Sequence, residues 1–136
     1  MVKKKKSKLQ QRKDDPNSSY YRKICDELVR KLTVIRDEGK CIICSSIKLP
    51  NAHHLINRHH YGTRWEFQGL VLLCSLHHKF SKTMSAHGTP INFSEWLRIN
   101  RPDQYQWVLD NINKELGMTY KEKAEELKNM LNLKKG

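Results

Sequence analysis

A regular spacing of apolar residues marks one long helix near the start of the chain. The apolar positions recur at intervals of three and four residues, at Tyr21, Ile24, Leu28, Leu32 and Ile35. This period predicts an amphipathic helix. Asn17 or Ser18 is suited to cap its N-terminus, and Gly39 is suited to end it. Cys25 lies inside this segment, and we interpret it as a small core residue rather than a metal ligand.

The central part of the chain has a shorter and more interrupted pattern. Residues 53–56 and the apolar run at 70–73 each have the length of a short strand, and a polar loop containing Gly62 separates them. Such runs between turn-forming residues are typical of β-strands. A helix is predicted to begin near His77. The pattern therefore predicts two strands followed by a helix.

Two to three further helices are predicted in the C-terminal part of the chain. The first has Asn92 or Ser94 as its cap, and Pro102 is placed to open the second; proline is favoured at the first helical position. Thr119 and Glu122 have the spacing of a capping box, which predicts the start of a last helix.

These elements predict a small α+β protein with one folded domain at 17–136. The domain divides into an N-terminal helix at 17–38, a central core at 41–90 and C-terminal helices at 92–133. Residues 1–16 are polar and basic, so we expect a disordered arm. This arm is predicted either to contact nucleic acid or to serve as a solubilising tail. Its candidate contacts are Lys3, Lys4, Lys5 and Lys6.

The charge of the chain narrows the choice of partner. Its 136 residues include 26 Lys and Arg against 14 Asp and Glu, a formal net charge of +12. A polyanion is the natural partner of such a protein. A membrane partner is not expected, because no apolar run approaches the roughly 20 residues of a spanning helix. The basic N-terminus has no apolar region after it, so we do not expect secretion.

Three of the four cysteines have the spacing of metal ligands. Cys41-x-x-Cys44 and Cys74-x-x-His77 are two half-sites at either end of the central segment. Two pairs of this kind can complete the tetrahedron of a structural zinc. We interpret His77 as the fourth ligand, although His78 has a spacing that also closes a tetrahedron. The alternative is that these are reduced cysteines in a small core.

The pair His53 and His54 suggests a second, catalytic function. Neighbouring side chains on a strand point to opposite sides, so these two imidazoles are expected to act differently. One can bind a metal, while the other titrates near neutrality and can act as a general base on water. Hydrolysis of a phosphodiester needs both such a base and a divalent electrophile.

The motifs of residues 41–96 together resemble one known family. The segment is similar to HNH endonucleases of the zinc-stapled ββα-metal kind, including phage recombination nucleases of the NinG type and Holliday-junction-resolving endonucleases. The motifs that carry the resemblance are Cys41-x-x-Cys44, His53-His54, Arg58, Thr63-Arg64-Trp65, Cys74-x-x-His77-His78 and Phe93-Ser94-Glu95-Trp96.

The resemblance implies a role for each matching residue. His54 matches the general base, and His53 and His78 match the protein ligands of a catalytic divalent metal, which is Mg, Mn, Ni or Zn. Gln68 takes the place of an asparagine that orients the base. Arg58 and Arg64 are expected to contact DNA phosphates, and Arg64 also to assist catalysis.

Three positions depart from the family pattern. Gln68 replaces the usual asparagine, and His77 stands where a cysteine normally completes the zinc site. Lys82 occupies a position where some relatives have a further metal-binding histidine. His87 is the substitute, but nine residues along a continuous helix place it on the face opposite His78. It reaches the site only if the helix breaks near residues 81–85, so we interpret His87 as a structural or exposed loop residue.

The resemblance also implies the partner and setting. The substrate is expected to be DNA, either duplex or branched, and the protein is expected in the cytoplasm of a bacterial or phage-infected cell. A homodimer is compatible with cutting two strands. The alternative from a different class is a non-catalytic, zinc-stabilised module that binds nucleic acid, with His53 and His54 purely structural.

Overall fold

The computed structural model describes residues 4–135, in which a two-stranded antiparallel sheet is surrounded by six α-helices. A 3₁₀ turn, Phe67–Gly69, precedes the second strand, and a π-helical turn, Leu76–Phe80, follows it. The elements are α1 (Lys8–Asp14), α2 (Ser19–Arg36), β1 (Asn51–His54), α3 (Tyr61–Arg64), β2 (Leu70–Leu73), α4 (Pro90–Asn100), α5 (Pro102–Asn111) and α6 (Tyr120–Lys135). The coarse α+β prediction is confirmed.

The sheet places the two adjacent histidines on opposite faces. In its register His53 pairs with Val71 and His54 pairs with Leu70. Directly opposed residues of an antiparallel pair project to the same side of the sheet. His53 therefore shares a face with Val71, and His54 shares the other face with Leu70, as the alternation of a strand predicts.

The larger core lies between α2 and α6. Its buried members from these helices and from the segments between them are Cys25, Val29, Leu32, Trp65, Leu70, Ala124, Leu127 and Leu131. Burial of each large apolar side chain contributes roughly 1.5–3 kcal/mol. Cys25 is fully buried here and its Sγ donates to the Tyr120 carbonyl at 3.4 Å. Its prediction as a core residue is confirmed.

A smaller core lies on the other face of β2. It consists of Cys41, Val71, Leu73, Cys74, Ala86, Phe93 and Leu97. All four residues of β2 are buried, because the strand runs between the two cores. β2 is thus the element that joins the α2 and α6 pair to the cysteine-rich segment.

Asp37 connects three elements beneath the sheet. Its carboxylate pairs with Arg36 and Arg101 at 2.8 and 3.1 Å and accepts the backbone N–H of Leu72 at 3.0 Å. Although burial raises the pKa of Asp37, these partners lower it overall. The C-terminus of α2 is thereby fixed to β2 and to α5.

Most predicted helices are found close to their predicted positions. α2 begins after Ser18 and is followed by Gly39, which has a left-handed φ of 68°. The capping box of α6 is formed: the N–H of Thr119 donates to Glu122 Oε1, and the N–H of Glu122 donates to Thr119 Oγ1, both at 3.1 Å. α4 begins at Pro90, before the predicted caps at Asn92 or Ser94.

Two central predictions differ from the structure. The first strand spans Asn51–His54 rather than 53–56, because its four residues pair with the four residues of β2. The expected helix near His77 is only the five-residue π-helical turn Leu76–Phe80. Turn-forming residues, starting at Ser81, end it.

The N-terminal arm is partly ordered, contrary to the prediction of disorder for 1–16. α1 begins after Ser7, whose Oγ accepts the N–H of Gln10 at 3.1 Å. The hydroxyl of Tyr21 donates to the Lys13 carbonyl at 2.6 Å and ties α1 to α2. Lys6 forms an ion pair with Asp14 at 2.6 Å.

The structure describes three of the four lysines that were predicted to contact nucleic acid. Lys4, Lys5 and Lys6 are exposed, and Lys3 lies outside the described residues.

None of the described helices combines the length and the apolar character that crossing a bilayer requires.

Candidate metal centres and active site

Three cysteines and one histidine converge at the end of β2. The ligand atoms of Cys41, Cys44, Cys74 and His77 all lie within 4.8 Å of one another. Cys44 Sγ is 3.7 Å from Cys74 Sγ, and His77 Nδ1 is 3.3 Å from Cys74 Sγ and 3.7 Å from Cys41 Sγ. A tetrahedral zinc with bonds of about 2.0–2.3 Å needs ligand separations of about 3.5–3.8 Å. This group, the Cys3His site, can hold a structural metal ion.

Backbone hydrogen bonds hold the segment of Cys41 and Cys44 against β2. The Ser45 N–H donates to the Cys41 carbonyl at 2.9 Å, and the Ile42 N–H donates to the Leu72 carbonyl at 3.0 Å. Burial raises the pKa of the Cys41 thiol, but hydrogen bonds from backbone N–H groups, that of Cys74 foremost, lower it overall. A lowered pKa favours the thiolate that binds zinc.

His77, and not His78, belongs to the Cys3His site. His78 belongs to a second group with His53 and His87, and their ligand atoms also lie within 4.8 Å of one another. We call this group the histidine site. The Nε2 atoms of His78 and His87 are 3.1 Å apart, and the His53 ring centroid lies 5.1 and 5.0 Å from those of His78 and His87. His87 is exposed and lies in a turn, as the sequence interpretation had it, and its imidazole also belongs to the histidine site.

A reversal of the chain brings His87 to the site. The π-helical turn ends at Phe80, and the backbone then returns beside it: the N–H of Ala86 donates to the His77 carbonyl at 2.8 Å, and the N–H of His87 donates to the His78 carbonyl at 2.9 Å. The buried Ser85 donates its hydroxyl to the Ser81 carbonyl at 2.8 Å. The opposite-face argument does not apply because the helix is not continuous.

The electrostatics of the histidine site favour neutral imidazoles. Burial, together with the nearby His78, His87 and His54, lowers the pKa of His53 to about 3. Burial, His87 and Lys79 lower the pKa of His78. Neutral imidazole is the form that binds a metal. Imidazole nitrogens suit Zn, Mn or Ni better than Mg, which prefers oxygen ligands.

His54 lies on the other face of β1 and is held through one ring nitrogen. Its Nε2 is 3.0 Å from the Arg64 carbonyl. Because a carbonyl only accepts hydrogen bonds, Nε2 carries the proton in this contact, and Nδ1 of the neutral ring keeps its lone pair. Burial lowers the pKa of His54 despite this hydrogen bond. His54 is therefore a neutral imidazole with an available basic nitrogen.

Arg64 orients His54 through its backbone, while its side chain has a different partner. Its guanidinium is only 6% exposed and forms two hydrogen bonds of 2.9 Å with the Asp26 carboxylate. Trp65 Nε1 donates to the same carboxylate at 2.7 Å. This differs from the predicted phosphate contact of Arg64, because the guanidinium is already paired and buried.

Gln68 is not the residue that holds His54. Its backbone carbonyl accepts the side-chain N–H of Gln104 at 2.8 Å. Within residues 4–135, its Oε1 atom is buried without a hydrogen-bond partner. The His54 ring is hydrogen-bonded by the Arg64 carbonyl instead.

A cavity of about 500 Å³ joins the histidine site to its surroundings. We call it the histidine cavity, and it is lined by the three ligand histidines together with His54, Arg58 and Lys79, among others. Arg58 is exposed and lines this cavity beside His53, His54 and His78. The predicted Arg58 contact is compatible with this position.

Two site residues were not assigned to the site from the sequence. His87 was expected to reach it only if the helix breaks near residues 81–85. The turn-forming residues at 81–90, which include four serines or threonines, Gly88 and Pro90, favour such a break. Asp26 had no local signal, since its partner Arg64 is 38 positions away.

No known family model, curated protein or solved structure matches this chain.

Proposed function

We propose that this protein is a metal-dependent DNA endonuclease of the HNH type, in which the histidine site holds the catalytic metal and His54 activates water. The observation that carries the proposal is the meeting, in one cavity, of three imidazoles suited to one metal and a fourth imidazole with a free basic nitrogen. A purely structural role would not require two differently oriented sets of neutral histidines.

The catalytic metal would be held by His53, His78 and His87. Such an ion polarises a phosphoryl oxygen and stabilises the charge on the leaving oxygen. Three protein ligands leave further coordination positions for substrate. The π-helical turn and the returning chain position two of these ligands, and β1 positions the third.

His54 would take a proton from the attacking water through Nδ1. The Arg64 carbonyl fixes the ring and keeps the proton on Nε2. The oxygen of water forms the new bond to phosphorus, and the bond from phosphorus to the 3′ oxygen breaks. The products are a 5′-phosphate and, after protonation of the leaving oxygen, a 3′-hydroxyl, as the family resemblance implies.

The charge of the molecule supports DNA as the substrate. A formal net charge of +12 attracts a polyanion. Arg58 and Lys79 line the histidine cavity and offer positive charge beside the proposed scissile phosphate. The exposed Lys4, Lys5 and Lys6 would add contacts away from the site.

The test is cleavage of a supercoiled plasmid and a four-way junction with Mn²⁺ or Mg²⁺. The wild-type protein is expected to cut, and His54→Ala is expected to lose about 100-fold or more in rate, as removal of a general base does. Glu125→Ala is the control, since Glu125 is exposed on α6 and does not line the histidine cavity. If the wild-type protein and His54→Ala both bind DNA and neither cuts it, the alternative of a non-catalytic binding module is correct.

A second experiment separates the two metals. Metal analysis is expected to find about one tightly held zinc per chain, as the Cys3His site requires. The zinc should survive His53→Ala and be lost in Cys41→Ser. Loss of zinc in both variants would contradict two independent sites.

A further inference from the structure

A second cavity opens beside the histidine cavity, between α2, β1 and the loop at 45–50. We call it the apolar hollow. Its volume of about 640 Å³ lies within the roughly 300–1,000 Å³ of pockets that bind small molecules. Its apolar lining includes Val29, Val34, Ile47, Leu49, Ala52 and Leu70. A space of this size and lining accepts a planar organic group.

The apolar hollow is continuous with the proposed active site. His54, Arg58 and His78 line both this hollow and the histidine cavity. A group in the hollow and a phosphate at the histidine site can therefore belong to one molecule. The hollow and the site are suited to two parts of one nucleotide.

The rim of the hollow exposes apolar side chains in a strongly basic protein. Ile47 is 73% exposed and Leu49 is 88% exposed. Leu49 also has a φ of 39°, in the left-handed region that costs a non-glycine residue conformational energy. Exposed apolar groups beside a charged site often mark a contact with a partner.

The charges around the hollow are positive. Arg30 and Arg58 line it and are both exposed. The acidic side chain of its lining, Asp26, is paired with Arg64. An apolar space flanked by guanidinium groups is complementary to a nucleotide, which joins an apolar base face to an anionic phosphate.

We propose that the apolar hollow receives an unpaired base of the cleaved strand, so that the protein prefers DNA with an unpaired nucleotide beside the cut over continuous duplex. In a duplex, both faces of a base are stacked and its edge is paired, so extraction carries an energetic cost. An already unpaired base avoids that cost. The cleavage preference rests on the proposed endonuclease function, whereas the binding of the base does not.

The binding test uses two DNA duplexes that differ at one position. One is fully paired, and the other carries a single unpaired 2-aminopurine, whose fluorescence rises when it leaves the base stack. Wild-type protein that carries one zinc per chain, in the Cys3His site, is titrated without added divalent metal, so that cleavage does not interfere. We expect about tenfold or tighter binding to the unpaired duplex, together with a rise in fluorescence.

Variants of the rim assign this preference to the hollow. The double variant Ile47→Ser, Leu49→Ser is expected to bind both duplexes equally. Ile91→Ser is the control, because Ile91 is 84% exposed on α4 and does not line the hollow. Circular dichroism checks folding. Val34→Trp, which fills the hollow from α2, is a second variant with the same expected result.

The outcomes distinguish this inference from the proposed function. Equal affinity of the wild-type protein for the two duplexes, or a preference that both the rim variant and Val34→Trp retain, would overturn the inference, and plasmid cleavage would still support an endonuclease. A preference that depends on the hollow in a protein that cuts no DNA would retain the inference and overturn the endonuclease.

Discussion

His87 reaches its position beside His53 and His78 through hydrogen bonds of the backbone rather than through helical spacing. The N–H groups of Ala86 and His87 donate to the carbonyls of His77 and His78. The same pair of backbone hydrogen bonds therefore positions residues of the Cys3His site and of the histidine site. Gly88 supports this arrangement, since a Cβ there would lie 2.4 Å from Ser85 Oγ. A single loop thus links the structural site to the proposed catalytic one.

Removal of the His87 imidazole should weaken metal binding at the histidine site and leave the zinc of the Cys3His site in place. We expect His87→Ala to reduce Mn²⁺ or Ni²⁺ affinity by at least the roughly 10–100-fold that loss of an outer-shell partner causes. Isothermal titration of the zinc-loaded protein measures this affinity. Lys82→Ala is the control for a nearby exposed position, and equal affinity in the two variants would exclude His87 as a ligand.

Asp26 acts on His54 indirectly, through Arg64. It holds the Arg64 guanidinium and the Trp65 indole, and the Arg64 carbonyl holds the His54 ring. Asp26 is therefore a positioning residue for the proposed base. Burial raises its pKa, but the hydrogen bonds from Arg64 and Trp65 lower it overall, so the carboxylate is charged at neutral pH.

Asp26→Asn should reduce both stability and the rate of cleavage. Loss of a fully buried partner costs about 3–5 kcal/mol, and since the Asp26 carboxylate is partly exposed, we expect about 2 kcal/mol. A displaced His54 ring should slow cleavage roughly tenfold and change its pH profile, with metal affinity retained. Urea unfolding and single-turnover kinetics measure the two effects. Glu125→Gln, at an exposed position of α6, should change neither.

At the scale of elements, local patterns predicted what local forces determine. α2 and α6 follow from apolar periodicity and capping residues, and β2 follows from a buried apolar run. The limits of β1 depend on pairing with β2, so the strand begins two residues before its predicted start. The π-helical turn places Cys74 and His77 in one site, and no periodicity encodes that requirement.

The residues of the candidate site were likewise predictable where their signals are short-range in sequence. The Cys3His spacing and the His53 and His54 pair are short-range signals. The pairing of Asp26 with Arg64 spans 38 positions, and the approach of His87 depends on where a helix ends. Both are results of tertiary structure, which explains why sequence spacing indicated neither.

The smaller core should depend on metal more than the larger one does. Two members of the smaller core are ligands of the Cys3His site, Cys41 and Cys74. We expect Cys41→Ser to increase amide hydrogen exchange roughly 100-fold at 41–45 and 90–97, and less in α2 and α6. Cys25→Ser, a cysteine outside the site, is the control for zinc retention. Equal loss of protection in both cores would mean that they unfold as one unit.

At the scale of the whole molecule, positive charge and neutral histidines act together. The net charge of +12 counts histidines as neutral, and protonation would add charge to a chain that already repels itself. Burial, together with nearby basic side chains, lowers the pKa of His53, His54 and His78 and favours their unprotonated forms. Acidification should therefore destabilise the fold before its carboxylates are protonated.

The sign and range of this pH effect follow from His53. Its pKa is about 3 in the fold against 6.5 as the ordinary value, so the unfolded chain binds a proton that the folded chain excludes between these pH values. Stability is therefore highest above pH 6.5 and falls as the pH decreases towards 3. Between pH 7.5 and 4.5 the loss attributable to His53 is about 2–3 kcal/mol. Asp37, with an ordinary pKa of 3.8 that the fold lowers, contributes below this range.

Urea unfolding at pH 7.5 and 4.5 tests the assignment with zinc bound and no second metal added. His53→Gln should lose about 2–3 kcal/mol less stability on acidification than the wild-type protein. Comparison of the two proteins cancels the acid sensitivity of the Cys3His site, which both contain. His59→Gln should follow the wild-type slope because His59 is exposed. Parallel slopes for wild type and His53→Gln would show that His53 is not the group responsible.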